Sequence, residues 1–438
     1  MEDIPKETET IAAKHTARLA EKLRLSGGGL SGKKAWWSNG PLEFLILIFV
    51  FGLNFYLVYP FFGTAANQTN FSGPIIPFVT SIISLFGVTT AYAIQIVYIA
   101  FILIFPLSFY LFIKRVSGRK LVALFAVMIA SLPFSPFLRI RVESALTGIE
   151  GPHVASLTLI PLAVYGLLTF LRYGRLKNVI IASVSASLVA LTSPFGFITY
   201  AVFAGITTFS EVLLGKGRLK LIRFLAIIIL VGGLCSFWYN PAFFAWIVTG
   251  PMGEEVVKTI SNLVPILTFS LPVLAVFGYL LFDRKPSLQP LFLALFFTTA
   301  FTMVSIVGGG FVFSHPSRYL SELGISVSLF LSIGLVAVSD KVLFTQQKFG
   351  IVSGKVLATG FTVLSFLLLL FGIILGKDVF LSSQVLGVWQ EINKGDIWIA
   401  REGFSTFWQI TGHSITFVTL TTLTVLGIKS VKSRRVVG

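Results

Sequence analysis

Glu143 and Glu150 stand seven positions apart in the run LRIRVESALTGIEGPH, which also carries Arg139, Arg141 and His153. On a helix of about 3.6 residues per turn that spacing puts both carboxylates on one face. A carboxylate so placed can take a proton from a hydroxyl, and arginine suits bidentate contact with a phosphate. The same residues also suit a set of salt bridges that keeps a loop folded. A second group, His315 and Arg318 in FSHPSRYL, follows Gly308-Gly-Gly310, where glycine permits close approach to a ligand. Arg318 suits a lipid phosphate; it also has Glu322 as its i+4 neighbour, the spacing of a helical ion pair. Glu254 and Glu255 form a further carboxylate pair, either a base or solvated loop charges. No His-x-x-x-His or Asp-x-Asp spacing accompanies these groups, so neither a metal nor a cofactor is expected.

The elements that must position them are apolar. Of 438 residues, 55% are hydrophobic and only 12% charged, with mean hydropathy +0.89. Repeated apolar runs of spanning length define an all-α polytopic membrane protein, not a soluble domain. Its basic balance then calls for no nucleic acid, because cationic loops and anionic headgroups account for it. The single cysteine, Cys235, excludes an intrachain disulfide.

Twelve transmembrane helices are expected near Leu42–Pro60, Ala91–Ile113, Leu121–Phe137, Val154–Leu171, Asn178–Ser193, Phe195–Leu213, Leu221–Val248, Leu263–Phe282, Leu291–Val307, Leu320–Val338, Val356–Leu375 and Phe407–Ile428. This arrangement puts 27 of the 34 Lys and Arg on one side with 9 of the 18 Asp and Glu. Cytoplasmic loops collect Lys and Arg, so both termini are expected in the cytoplasm of a multi-pass cell-membrane protein. Ile75–Val88 is short for a span and belongs in the outer interface. The stretch Asn178–Leu213 has basic residues on both flanks, which demands two passes turning at Thr192-Ser193-Pro194. Asn240-Pro241, Pro106, Pro133 and Pro161 are expected to kink helices. Residues 1–40 form a cytoplasmic tail, either a basic amphipathic helix from Ile11 to Leu25 or a solvated segment, with no cleavable signal peptide. Residues 41–340 form the core, and 341–438 a C-terminal pair with an outer loop at 376–406.

The stretch Gly151–Phe203 runs from a Gly-containing outer loop into a proline-bearing helix, an R-x-G-R turn, and a small-residue helix ending in LTSP. It resembles the core of the GT-C superfamily of integral-membrane glycosyltransferases, including prokaryotic members related by description to 6-pyruvoyl-tetrahydropterin synthase. Ile75–Gly87, FPLSFY at 105–110 and PSRYL at 316–320 agree, and the likeness covers roughly residues 42–340. The resemblance implies a polyprenyl-phosphate-linked sugar handled at the outer face, with membrane lipids and glycosylation-complex proteins as partners. For that chemistry the residues read above offer Glu143 or Glu150 as base, Arg139, Arg141 and Arg318 for the phosphate, and His153 and His315 beside the substrate. The chain departs from the family where the usual first-loop aspartate would lie, since no Asp or Glu stands between Glu43 and Glu143. A non-catalytic relative that binds lipid-linked sugar or scaffolds a glycosylation complex therefore stays open, as does a transporter or flippase. Trp389, Trp398 and Trp408 suit either sugar stacking or interfacial anchoring, and Asn67 and Asn70 begin glycosylation sequons.

Overall fold

Proline, glycine and basic turns cut the apolar chain into helices that pack around one central member. The computed structural model describes residues 40–61, 73–147, 150–249, 261, 272, 274–276, 278, 286–307, 319–349, 354–381 and 405–435. The regular elements among them are all helical. In chain order they are α1 (Gly40–Val58), α2 (Ile75–Ser84), α3 (Thr90–Ser117), α4 (Lys120–Ala130), α5 (Leu138–Val142), α6 (Gly151–Tyr173), α7 (Leu176–Thr192) and α8 (Pro194–Leu213). There follow α9 (Gly217–Cys235), α10 (Pro241–Thr249), α11 (Gln289–Thr302), α12 (Leu320–Phe349), α13 (Gly354–Leu381) and α14 (Thr406–Arg435). Among the described residues, 6 helices are long and apolar enough to cross a membrane, with 5 shorter apolar ones beside them. The chain is an all-α membrane protein.

Helix α6 is the hub: 78% of its most apolar window is buried, against 22% for the first candidate span and 11% for the last. It packs on α3, α7 and α8, and its small residues let neighbours in. A Cβ on Gly166 would come within 3.0 Å of the Ala182 backbone, so α6 and α7 approach closely at this glycine and a larger residue would push them apart by a few tenths of an ångström. The peripheral helices leave Phe, Leu and Ile outward, as lipid-facing surfaces do.

Side-chain contacts fix the relative directions of the helices. Thr158 on α6 donates to the Phe101 carbonyl of α3 at 2.8 Å, and Arg115 near the end of α3 lies over the Tyr173 ring at the end of α6. Arg172 meets Glu211 on α8, while Arg119 and Asp340 join the start of α4 to α12. Thus α3, α6, α8 and α12 run in parallel, from what we term the His153 end to the Arg172 end. Helices α1, α4, α7 and α9 run the other way: Glu43 sits with Lys114 and Lys120, and Tyr239 after α9 donates to Ala190 near the end of α7.

Two expectations change in detail. The run Leu121–Phe137 is helical only to Ala130, because Pro133 removes a donor and disfavours helix in Leu132 before it. At Asn240-Pro241 there is a break, not a kink: α9 stops at Cys235, and the Asn240 side chain caps α10 by accepting from the Phe243 amide at 3.0 Å. Pro106 and Pro161 lie inside helices that continue through them. The break at Ser193 falls where expected: its extended backbone (φ −154°, ψ 130°) separates α7 from α8, and its hydroxyl accepts from the Gly196 amide. The short Ile75–Ser84 helix packs beside it, with Gly73 against the Leu191–Thr192 backbone. The tail helix, the sequons at Asn67 and Asn70, and the span at Leu263–Phe282 apart from residues 272, 274–276 and 278 lie outside the described residues.

Candidate functional site

At the His153 end three helices begin together, and each brings one polar side chain inward. Pro152 in the first turn of α6 and Pro194 at the start of α8 begin those helices abruptly, and α12 begins at Leu320 beside them. His153 then faces Glu322 in the first turn of α12, with Nε2 2.8 Å from Oε1. Thr199 on α8 donates its hydroxyl to the same oxygen at 2.8 Å. All three are buried, Glu322 completely so at 0% exposure. Gly151 leaves no room for a side chain: a Cβ there would run into the Tyr98 ring of α3. The Tyr319 ring meets His153 edge-on, with centroids 6.1 Å apart.

When Nε2 donates to the Glu322 carboxylate, Nδ1 of His153 is left as an acceptor. Neither Nδ1 nor Oε2 of Glu322 has a hydrogen-bond partner among the described residues. A buried imidazole oriented by a carboxylate is the arrangement of a general base, with the carboxylate fixing the tautomer. Removing the pair from water carries a desolvation cost that a purely structural contact between apolar helix ends would avoid.

The run around Glu143 is not one helix. Glu143–Thr147 forms a π-turn after α5, and Glu150 precedes α6 in a non-helical conformation (φ −96°, ψ 20°). The seven-residue spacing therefore does not place the two carboxylates on one helical face. Arg139 Nε bonds Glu143 Oε1 at 2.8 Å, the i+4 bridge that the sequence also allowed. Arg141 turns inward: it donates to the Ala130 carbonyl at 2.5 Å and lies 3.9 Å from the Phe105 ring centroid. Burial pushes its guanidinium down, to about 9. A second π-turn, Met303–Val307, closes α11. Such turns recur at functional sites.

His315, Arg318, Glu254, Glu255, Trp389 and Trp398 lie outside the described residues. No cluster of His, Cys, Asp or Glu among the described residues is arranged to hold a metal ion. Sequence reasoning took Glu322 only as the neighbour of Arg318; its partners in the structure are His153 and Thr199. The signal that was there to read is a lone acid entering an apolar helix, where an ionisable group is costly and calls for a partner.

At the opposite end Glu211 of α8 receives Arg172 at 2.7 Å, Lys220 at 2.9 Å and Gln289 at 2.8 Å, tying α6, α8, α9 and α11. Both oxygens of that carboxylate have partners from the protein, and it reads as architecture.

No protein-family model matches this chain, and neither any curated protein nor any solved structure does so.

Proposed function

We propose that this chain is a GT-C-like membrane protein that acts on a polyprenyl-phosphate-linked sugar at the outer face of the cell membrane, with His153 and Glu322 as the base. The buried, oriented imidazole with its open Nδ1 carries the reading. Glycosyl transfer from such a donor needs a group to take the acceptor proton and cations to stabilise the departing phosphate. His153 takes the proton and Glu322 orients the ring. Arg139, side-chain exposure 13%, stands at the same end with Glu143 and, with Arg318, serves the phosphate. Arg141 serves the fold.

In this reading the Arg172 end is cytoplasmic. Arg115, Arg119, Lys120, Arg172, Arg175, Lys177, Lys216 and Lys220 gather there, as the positive-inside rule requires. The chain then makes twelve passes with both termini inside: α9 leads to the His153 end and α11 starts with Gln289 at the Arg172 end, so the count includes a return between them. Cys235 is buried, which leaves the native chain quiet to thiol reagents. Arg175→Cys is expected to resist a membrane-impermeant maleimide in intact cells and to react after permeabilisation, whereas Ser405→Cys reacts in both; the reverse pattern sinks this orientation.

Function is tested by turnover. Purified protein in proteoliposomes is supplied with polyprenyl-phosphate hexoses and an acceptor peptide or lipid. Transfer is expected in the parent, and His153→Gln is expected to lower it about 10²–10⁴-fold with donor binding retained. Equal transfer by both would move the base elsewhere. Donor binding without transfer in the parent would select the non-catalytic relative, which the lack of any carboxylate between Glu43 and Glu143 favours.

A further inference from the structure

The Arg172 end holds a cavity of about 410 Å³ between α3, α6 and α7, lined by Arg115, Tyr165, Tyr173, Arg175, Lys177 and Asn178. Its chemistry differs from that of its surroundings. Five neighbouring cations are neutralised, Lys114 and Lys120 by Glu43, Arg119 by Asp340, and Arg172 and Lys220 by Glu211, and Arg223 beside Gly174 donates to the Leu171 carbonyl. Arg115, Arg175 and Lys177 have no carboxylate within salt-bridge distance among the described residues, and no acid lines the cavity. Nε of Arg115 is buried and has no hydrogen-bond partner among the described residues. The turn at Gly174 (φ +62°) folds the chain back so that Arg175, like Arg115, lies over the Tyr173 ring, at 5.8 and 4.8 Å. Two guanidinium groups thus meet one ring and line one cavity although like charges repel, an arrangement that an anion in the cavity would stabilise.

We propose that this cavity binds the phosphate headgroup of an anionic lipid from the leaflet at the Arg172 end. Phosphate satisfies the guanidinium donors and Lys177, and Tyr165 and Asn178 offer polar groups to its substituents. A lipid, not free phosphate, fits the position: Ile181 lines the cavity and Val184 follows three residues on along α7, and at 42% and 41% exposure they give acyl chains an apolar track. Basic clefts between spanning helices at the cytoplasmic side are suited to such headgroups. The site is independent of the His153–Glu322 reading and stands or falls without it.

Native mass spectrometry of the delipidated protein in nonionic detergent tests this, titrating phosphatidylglycerol against phosphatidylcholine of the same chains. The parent is expected to hold one phosphatidylglycerol about tenfold more tightly than phosphatidylcholine. Arg115→Gln/Lys177→Gln is expected to lose that preference, while Arg119→Gln, whose cation belongs to Asp340, keeps it. Unfolding temperatures of all three confirm that they are folded; if the double variant does not fold, Lys177→Gln alone replaces it, with a smaller loss of the same sign. Equal preference in parent and variant overturns the proposal. So does displacement of the lipid by excess inorganic phosphate, which would mark a site for the free anion.

Discussion

Glu211→Ala is expected to lower the unfolding free energy by about 3–5 kcal/mol, the cost of leaving buried cations without their counter-charge. The carboxylate is 1% exposed and takes Arg172 and Lys220 as well as the Gln289 amide, which also donates to Ser210 at 3.1 Å. Four helices meet on this one side chain. Its loss leaves a guanidinium and an ammonium facing each other inside the bundle, where the local dielectric weakens repulsion less than water does. The control is Arg119→Gln at the same end: that pair is about half exposed, 54% and 49%, so its loss is expected to cost under about 1 kcal/mol. Thermal unfolding in detergent measures both. Similar small shifts would contradict the view that Glu211 clamps the bundle.

Glu322 is expected to separate stability from chemistry. Glu322→Ala removes the acceptor for both His153 and Thr199 at a site of 0% exposure, and is expected to cost about 3 kcal/mol. Glu322→Gln keeps the shape and one acceptor oxygen. It is expected to unfold much closer to the parent, yet to lose about 10²–10⁴-fold in transfer rate, because an amide no longer fixes the tautomer that leaves Nδ1 as the acceptor. A purely structural Glu322 would move both quantities together. Equal stability of the two variants, with transfer unchanged in the glutamine form, would place the chemistry elsewhere.

Both acids sit at the tips of apolar helices, and both were hidden in the sequence for the same reason. The basic turns and Pro194 were enough to divide Asn178–Leu213 into two helices, because charge and proline act locally. His153 and Glu322 are 169 residues apart, and no periodicity announces a contact made by tertiary packing. Glu211 and Glu322 were legible only as isolated acids in apolar surroundings, a signal of unmet cost without a named partner. The Glu143–Glu150 face failed on a local feature: the π-turn at Glu143–Thr147 and the start of α6 at Gly151 interrupt the helix that the spacing presumed. Arg141 was legible as a cation near the interface; that it turns to the Phe105 ring depends on α3 passing behind it.

We propose that the His153 end holds a polyprenyl-phosphate-linked sugar. Mass spectrometry of lipids that co-purify with the parent protein and with Arg139→Ala/Arg318→Ala tests it most directly. A polyprenyl phosphate or its glycoside, present in the parent and lost from the variant, is the predicted result. Bulk phospholipid alone in both would contradict it.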